Sequence, residues 1–394
     1  MKVLFLLSIC LGRRATSGHL LIAMIRALCK SGHTVNIIQQ DGGKDIPAIP
    51  ESLAEYPVTT ALVPYKNARK GNFIARYWAE ICYLKACKKQ ISHGYNAVFI
   101  QSTTNAGQAV RIVRKKLPRA SVTLNVQDIF PYNAAFIGSI KQNGFLFRTL
   151  AKQQRYGYRH ADRIITISED MKDLLVEDGT PADKIDVIYN WSYQDEPYTG
   201  LDLSAVDHMF DRQKFNVVYA GNIGAIQNVE LLIEAAKLLE KDTGVWFHII
   251  GEGVRKQAVE TKAKERGTKN ISFWPMQPPE LAPYIYSAAS INVIPLKKNI
   301  CKTCLPSKIA TCLACGRPII FAFGKESRFA QKLVQETGCI LVDSDDPRAL
   351  ADAIQTVRNG EAKDQNTTEF FQKNCGITEN SRRYAEIITS RNGG

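Results

Sequence analysis

Short apolar runs alternate with amphipathic segments along the first half of the chain. The segment after the first run has apolar residues at helical spacing from Leu20 to Leu28, and Gly32 ends it before the next run begins. Strand, helix and strand in this order are typical of a parallel sheet covered by helices. The runs that predict buried strands are residues 2–9, 34–39, 97–101, 122–126, 164–168 and 185–189.

The same pattern starts again at residue 215. The apolar run Phe215 to Ala220 is followed by a turn, Gly221-Asn222-Ile223-Gly224, and then by a segment with one apolar helical face. Runs at 245–250 and 291–295 predict further buried strands. Since the polar, aperiodic stretch 192–213 separates the two halves, the pattern predicts two doubly wound α/β domains joined by a linker.

Two features of this pattern are candidates for ligand binding. A glycine turn between strand and helix, as at 221–224, aims backbone N–H groups at an anion, although glycine also serves purely steric needs there. Asp128 follows the run 122–126 and so comes just past the carboxyl end of a strand, where parallel sheets bind ligands. A helix cap or a turn is the alternative interpretation of Asp128.

Composition limits the class of protein. The chain has 394 residues with 45% apolar content, and no apolar run reaches membrane-spanning length. The apolar N-terminus is similar to a signal peptide, but it continues into Gly12-Arg13-Arg14 and not into a small-residue cleavage site. We therefore interpret it as a buried strand, and we expect a cytosolic protein whose ten cysteines are reduced.

Four of these cysteines form two C-x-x-C pairs in the segment CKTCLPSKIATCLAC, residues 301–315. Such pairs suggest a zinc site, but the seven-residue gap between them is shorter than the usual zinc spacing. The second pair also lies in an apolar stretch. We therefore predict core thiols on a helix and expect no metal.

The net charge of +13 is unevenly distributed. Residues 1–190 contain 26 Lys and Arg against 14 Asp and Glu, whereas the remainder contains 25 against 24. A basic half indicates an anionic partner such as nucleic acid, an acidic membrane or a phosphorylated ligand, unless it is simply a solvated surface. Basic and aromatic residues are interleaved at 66–93 and 144–159, which suits either a membrane interface or a helix with a solvated face.

Several segments, in this order, resemble one large enzyme family. The chain is similar to the GT4-type retaining glycosyltransferases, and in particular to the branch that builds bacterial O-antigen and capsule repeats. The resemblance covers nearly the whole chain. It rests on SGHTV (31–35), HADRIITISEDMKDLL (160–175), KIDVIYNW (184–191), YAGNIGAIQNVELLIEAAKLL (219–239), HIIGEG (248–253), Ala288-Ala289-Ser290 and LPSKIATCLACGRPII (305–320).

The resemblance implies an α/β protein of the GT-B fold, with two Rossmann-like domains facing across a cleft. We place an acceptor-binding domain at 1–200 and a nucleotide-sugar-binding domain at 201–375. A C-terminal helix at about 376–394 is expected to pack back on the first domain. The family reaction needs a UDP-sugar as co-substrate and no metal or other cofactor.

The resemblance also implies roles for individual residues. Asp128 and Lys308 are the expected catalytic residues, with Asp128 contacting a sugar and Lys308 a phosphate. The first glycine loop, on the acceptor side, comprises Gly12, Ser17, Gly18 and His19. The expected donor-binding residues are Gly221, Asn222, Gly224, Glu252, Trp274, Met276, Pro306, Ser307, Lys308, Thr311 and Arg317.

The chain departs from the family at the charged positions of the donor site. Many members have an Arg and a Lys where this chain has Asn222 and Gln227, and a pair of Glu where it has Thr303 and Thr311. A departing diphosphate needs positive charge or N–H donors. Lys308 and Arg317 are therefore expected to supply the missing charge.

The resemblance predicts transfer of a sugar, with an N-acetylated amino sugar as one candidate, to a polyprenyl-diphosphate-linked saccharide. The expected location is the cytoplasmic face of the plasma membrane, with residues 66–93 and 144–159 on the anionic lipid. A non-hydrolysing UDP-sugar epimerase shares the fold, but the six histidines are scattered. A nucleic-acid-binding protein is the third alternative, and no nucleic-acid-binding motif supports it.

Overall fold

The computed structural model describes residues 1–13, 18–65, 73–101 and 104–390 of the chain. These residues form two compact units. The first unit comprises residues 1–190 together with the C-terminal segment from Ile377, and the second comprises Trp191–Gly376. Each unit is a parallel sheet with helices between its strands, as the sequence pattern predicts.

The first unit contains a seven-stranded sheet in the order β3-β2-β1-β4-β5-β6-β7. Its central strand β4 is buried at every position, because helices cover both faces of the sheet. Successive strands are added on one side of β1 up to β3 and on its other side from β4 onwards. β1 and β4 pair in parallel. The elements are β1 (Lys2–Leu6), α1 (Gly18–Lys30), β2 (Thr34–Gln40), β3 (Val58–Val63), α2 (Phe73–Gln90), β4 (Ala97–Gln101), α3 (Ala106–Lys116), β5 (Ser121–Val126), α4 (Tyr132–Phe136), α5 (Phe145–His160), β6 (Arg163–Thr166), α6 (Glu169–Glu177) and β7 (Ile185–Val187).

The second unit contains a six-stranded sheet in the order β10-β9-β8-β11-β12-β13, and its core lies between this sheet and helices such as α7 and α12. The stretch 192–213 belongs to this unit, where Val206 and Met209 are buried. The elements are β8 (Phe215–Ala220), α7 (Glu230–Leu238), β9 (Val245–Ile250), α8 (Lys256–Glu265), β10 (Ile271–Trp274), α9 (Ala282–Ala288), β11 (Ile291–Pro295), α10 (Ile309–Ala314), β12 (Ile319–Phe323), α11 (Arg328–Thr337), β13 (Ile340–Asp343), α12 (Pro347–Arg358) and α13 (Thr367–Asn374).

The last helix, α14 (Ile377–Thr389), belongs to the first unit and packs against α1, β4 and β5. Its Tyr384 is fully buried, and the phenol donates a hydrogen bond to Asn125 Oδ1 at 3.1 Å. The ring meets Phe99 of β4 edge to face, with centroids 6.5 Å apart. The C-terminal helix is therefore part of the helical layer that covers one face of the first sheet.

Candidate functional site

The strand order of the second sheet reverses between β8 and β11, which are neighbours although two other strands, β9 and β10, lie between them along the chain. The connections after these two strands run to opposite sides, so a crevice forms between them at the carboxyl edge. The turn after β8 begins at Gly221, and the connection after β11 ends at Lys308, just before α10. The two segments that the sequence singled out therefore meet at the place where such sheets bind ligands.

Three glycines pack the turn after β8 tightly against the turn after β9. A Cβ atom on Gly251 would lie 1.9 Å from the Gly221 carbonyl oxygen, and one on Gly253 would lie 2.2 Å from that of Ile223. The backbone φ of Gly221 is 138°, in the region that favours glycine. These glycines thus serve close backbone packing.

The turn uses its own backbone donors internally. The Gly221 N–H donates to the Ile250 carbonyl and the Ile223 N–H to the Glu252 carbonyl, each at 2.8 Å. The Gly224 N–H donates to Gln227 Oε1 at 3.1 Å, and Asn222 Nδ2 approaches the same oxygen at 3.4 Å. The prediction that the turn offers N–H groups to a phosphate is therefore wrong for residues 221, 223 and 224.

Lys308 brings a positive charge directly against this turn. Its Nζ lies 3.8 Å from the centroid of the Tyr219 ring and 2.7 Å from the position that a Cβ atom on Gly221 would take. The ammonium is buried and has no hydrogen-bond partner among the residues that the structure describes, although Lys308 as a whole is half-buried. Burial lowers the pKa of Lys308 from 10.5 to about 8, and the nearby Cys312 thiol acts weakly in the other direction.

The residues around Lys308 are held by the second unit itself. The Tyr219 phenol donates to the Asn222 carbonyl at 2.5 Å, which fixes the ring under the ammonium. Pro306 and Ser307 are half-buried in the turn before α10. Thr311 is buried and its hydroxyl lies 3.1 Å from that of Ser192, so it packs inside the unit.

Three more of the expected donor-binding residues lie on the same edge of the sheet, at the ends of β9 and β10 or just after them. Glu252 forms an ion pair with Lys256 one helical turn further on. Met276 is 48% exposed. Trp274 turns its indole N–H inward to His248 Nδ1 at 3.3 Å.

Sequence reasoning missed the polar group that holds Trp274. His248 is buried, and its Nε2 lies 2.9 Å from Asn216 Oδ1. Burial lowers the pKa of His248 to about 4, so the ring stays neutral and accepts the indole N–H. In the sequence, His248 stands inside the apolar strand WFHII, and this pattern does not by itself indicate a hydrogen bond to Trp274.

Arg317 does not reach this site. It follows the C-terminal end of α10, immediately before β12, and therefore lies at the amino edge of the sheet, whereas Gly221 lies at the carboxyl edge. Its guanidinium donates to the Ser287 carbonyl at 2.8 Å. The prediction that Arg317 supplies charge to the donor is wrong, because the short helix between residues 308 and 317 spans the layer.

In the first unit, the expected acceptor residues lie at the carboxyl edge of the sheet. Gly12 packs so closely that a Cβ atom would lie 2.0 Å from the Pro47 carbonyl oxygen. Gly18 and His19 open helix α1, and Asp128 is exposed beyond β5. Ser17 lies outside the described residues.

The four cysteines of the two C-x-x-C pairs, Cys301, Cys304, Cys312 and Cys315, are buried. Burial raises the pKa of Cys315 to about 12, which favours the neutral thiol over a metal-binding thiolate. Among the described residues, no group of three or more His, Cys, Asp or Glu could hold a metal ion. In the same part of the chain, no helix has the length and hydropathy needed to span a membrane.

Comparison with known proteins gives matches to both units. A family model described as a glycosyl transferase 4-like domain matches residues 21–191, and one described as glycosyl transferases group 1 matches residues 214–359. WcaI of Escherichia coli, named as a glycosyl transferase of colanic acid biosynthesis, is 29% identical over 208 residues, which are 51% of each chain. The glycosyltransferase WbjE of Pseudomonas aeruginosa is 25% identical over 240 residues, or 59% of each chain. The chain thus spans between half and three fifths of the length of these two relatives.

Solved structures match over nearly the whole length. HepE of Anabaena, solved with UDP and glucose, superposes with a TM-score of 0.73 at 14% identity, covering 99% of this chain and 100% of HepE. WaaG, described as a glycosyltransferase involved in lipopolysaccharide biosynthesis, superposes with a TM-score of 0.64 at 14% identity, covering 99% and 100%. These likenesses show a shared fold with two Rossmann-like units. The chain therefore belongs to the group 1, GT4-like glycosyltransferases and has the GT-B fold.

Proposed function

We propose that this protein transfers a sugar, with retention of configuration, from a UDP-sugar to a polyprenyl-diphosphate-linked saccharide during bacterial surface polysaccharide synthesis. The observation that carries the proposal is the match of both units to glycosyltransferase families, one over 21–191 and the other over 214–359. HepE, which shares the fold, binds UDP and glucose, and the names of WcaI and WaaG refer to polysaccharide and lipopolysaccharide synthesis. The HepE structure supports a UDP-sugar donor, and the names of WcaI and WaaG support a role in surface polysaccharide synthesis.

In the proposed reaction, the bond between the anomeric carbon and the diphosphate oxygen breaks, and its electron pair leaves with UDP. The acceptor hydroxyl forms the new bond on the same face of the sugar, and its proton passes to the departing diphosphate. The donor site is assigned to the carboxyl edge of the second sheet, between Gly221 and Lys308, with the base beside Met276. Asp128 is assigned to a sugar hydroxyl. The step needs charge stabilisation of the diphosphate and no metal in this assignment.

The proposed lipid-linked acceptor requires that the enzyme work at a membrane, and the first unit has a suitable surface. Helices α2, α3 and α5 pack side by side. They contain one acidic residue, Glu80, which is buried and accepts hydrogen bonds from Thr104 and Asn105. Nine of their basic residues are exposed: Arg76, Lys85, Lys88, Lys89, Arg111, Lys115, Arg148, Lys152 and Arg159.

Exposed apolar side chains surround one end of this basic layer. Trp78 is 59% exposed, Phe145 is 88% exposed and Leu146 is 46% exposed. Tyr77, which precedes Trp78, and Phe147, which follows Leu146, pack in one small cluster. Trp78, Phe145 and Leu146 therefore lie close to one another, near this cluster. Exposed apolar side chains beside basic ones fit an anionic lipid surface. We assign this surface of the protein to contact with the cytoplasmic face of the membrane.

Incubation with a panel of UDP-sugars and a polyprenyl-diphosphate saccharide extract tests the proposal. Release of UDP together with a mass gain of one sugar on the lipid is the expected result. Interconversion of the UDP-sugar without release of UDP would show an epimerase, and no turnover of any donor in the presence of acceptor would reject the proposal. An anomeric configuration that is inverted in the product would reject retention alone.

A further inference from the structure

We propose that Gln101 donates a hydrogen bond to a hydroxyl oxygen of the acceptor saccharide, and that buried side chains of the first unit hold its amide in the orientation that this requires. This inference rests on the proposed function for the identity of the acceptor. It goes further by naming a binding residue that no sequence motif indicates.

Gln101 lies at the carboxyl edge of the first sheet, at the place where the strand order reverses. It is the last residue of β4, whose neighbours in the sheet are β1 and β5. The loop that contains Gly12 follows β1, and Asp128 follows β5, so Gln101 lies between the two segments that are expected to bind the acceptor. A switch point of this kind is where parallel sheets bind ligands.

The side chain of Gln101 lies on the face of the sheet that α14 covers. Successive residues of a strand alternate between the two faces, so Gln101 shares the face of Phe99, whose ring contacts Tyr384 of α14. Helix α1 packs against α14 and begins at Gly18, after the loop that follows β1. Gln101 is therefore on the same side of the sheet as the start of α1, where the expected acceptor loop ends.

Asn125 of β5 determines which end of the Gln101 amide points inward. The two residues are paired in the sheet, and Asn125 Nδ2 donates to Gln101 Oε1 at 2.9 Å. Asn125 Oδ1 already accepts from the Tyr384 phenol at 3.1 Å and from Gln127 Nε2 at 3.2 Å. Gln127 is oriented in turn by Asn190, whose Nδ2 lies 2.9 Å from Gln127 Oε1. Since the oxygen of Asn125 is occupied, its nitrogen faces Gln101, which turns its carbonyl inward and its amino group away.

The amino group of Gln101 is available to a ligand. Its Nε2 has two N–H donors and donates to none of the residues that the structure describes. Gln101 is only 8% exposed, and its Nε2 is not one of the atoms that are shielded from solvent without a partner. An amide that is nearly buried, with its oxygen bonded inward and its donors at the surface, is held ready for an acceptor atom of a ligand.

A neutral N–H donor suits the hydroxyl oxygen of a sugar. Gln101, Asn125 and Tyr384 bring no charge to this place, whereas a phosphate is bound more strongly by charged donors. A sugar hydroxyl accepts and donates hydrogen bonds, and a fixed N–H donor orients it by binding one of its lone pairs. A saccharide that lacks this hydroxyl leaves the amide unpaired, so the contact contributes to the selection of the acceptor.

Kinetics of two variants of the full chain test this inference, with a UDP-sugar that the wild type uses and the polyprenyl-diphosphate saccharide extract as acceptor. Gln101→Leu removes the N–H donors. Gln101→Glu keeps an oxygen for Asn125 Nδ2 and replaces the outward donor by an acceptor. Both are expected to raise the apparent KM for the acceptor roughly 3- to 10-fold, the effect of one uncharged hydrogen bond, with little change in kcat. The affinity for UDP, measured by calorimetry, should stay at the wild-type value, because the donor site is assigned to the second sheet.

Thr166→Val is the matched control. Thr166 is fully buried at the carboxyl end of β6, and its hydroxyl donates inward to the Val126 carbonyl at 3.1 Å. The variant therefore loses one buried hydrogen bond at the same edge of the sheet, but no donor that faces a ligand. Its KM for the acceptor should equal that of the wild type.

The pattern of the KM changes separates the alternatives. A higher KM in Gln101→Glu alone would indicate repulsion of the acceptor's phosphates, and a higher KM in Gln101→Leu alone would indicate that a carbonyl faces the acceptor. Either result would overturn the inference, and so would an equal rise in Thr166→Val. Sugar transfer with an unchanged KM in both Gln101 variants would overturn the inference and leave the proposed function standing. No sugar transfer by the wild type with any donor would overturn both.

Discussion

The Lys308 ammonium is buried over Tyr219 and has no hydrogen bond to any part of the chain that the structure describes, so it lowers the stability of the folded chain at every pH at which it is charged. The pKa of Lys308 is lowered from 10.5 to about 8 on folding. Below pH 8 both states are protonated and the penalty is constant. Between pH 8 and 10.5 the unfolded state binds the additional proton, so stability rises with pH until the penalty is gone.

The first prediction concerns Lys308→Met in the absence of nucleotide. We expect its free energy of unfolding at pH 7 to exceed that of the wild type by roughly 3 kcal/mol, since each pKa unit corresponds to about 1.4 kcal/mol. The difference should shrink as the pH rises above 8, and urea denaturation at several pH values measures it. A constant difference across this range would contradict the assigned titration of Lys308.

The second prediction concerns Gly221→Ala. At a φ of 138° any side chain is strained, and the new Cβ would meet Lys308 Nζ at 2.7 Å. We expect a loss of stability of about 1–3 kcal/mol from the backbone alone, together with weaker UDP binding because the ammonium is displaced. Denaturation and UDP titration measure the two effects.

Gly267→Ala is the control for that change. Gly267 also has a positive φ, of 60°, but nothing lies within 4 Å of a Cβ atom there. It should lose about 1–2 kcal/mol of stability and keep its UDP affinity. Equal behaviour of the two variants in UDP binding would show that the contact with Lys308 is unimportant.

At the level of elements, helix α14 stabilises a sheet that the chain began building almost four hundred residues earlier. Tyr384 is its main anchor, since it is fully buried, contacts Phe99 and donates to Asn125. The C-terminal segment is therefore part of the folding unit formed by residues 1–190.

The third prediction is that Tyr384→Ala destabilises the first unit by about 3–5 kcal/mol, the usual cost of removing a large buried ring. Tyr384→Phe should cost only about 0.5–1.5 kcal/mol, because it removes one hydrogen bond. Hydrogen exchange in β4 and β5 locates the effect. The exposed Glu386→Ala on the same helix should change stability by less than about 0.5 kcal/mol, and slow exchange in the Tyr384→Ala variant would refute the anchoring role.

Runs of apolar residues in the sequence predicted the strands well wherever consecutive residues of the strand are buried. The strands expected at 97–101, 215–220, 245–250 and 291–295 have those bounds. Strand β3 was missed because its sequence, VTTALV, is only partly buried at the sheet edge.

The site could be predicted only in part. The alternation of strands and helices and the position of the Gly221 turn after a strand follow from the sequence pattern, whereas the strand order comes from the structure. The internal use of the turn's N–H groups, the inward indole of Trp274 and the burial of Lys308 depend on contacts between distant segments. Arg317 was misplaced because α10 has six residues and carries the chain to the other edge.

On the scale of the molecule, the excess of positive charge lies in the first unit. Residues 1–190 carry an excess of positive charge, and the exposed Phe145 and Trp78 lie beside the basic helices. Each basic residue near an anionic surface contributes about 1 kcal/mol at moderate salt, and the contribution falls as salt screens it.

The fourth prediction is that the full chain sediments with phosphatidylserine-containing vesicles at low salt, and that high salt releases it. Phe145→Ser together with Leu146→Ser should weaken binding roughly tenfold or more, since burial of one large apolar side chain contributes about 1.5–3 kcal/mol. Val254→Ser removes an equally exposed apolar residue, 84% against 88%, from the neutral second unit and should have no effect. Equal loss in both variants would show that the basic layer does not direct docking.

The contact between Gly221 and Lys308 also limits how this enzyme can evolve. A lineage that acquired a side chain at 221 would bring its Cβ atom within 2.7 Å of Lys308 Nζ. A lineage that lost the lysine would lose its positive charge beside the turn, because Asn222 and Gln227 are neutral. Relatives that carry lysine at 308 should therefore also carry glycine at 221.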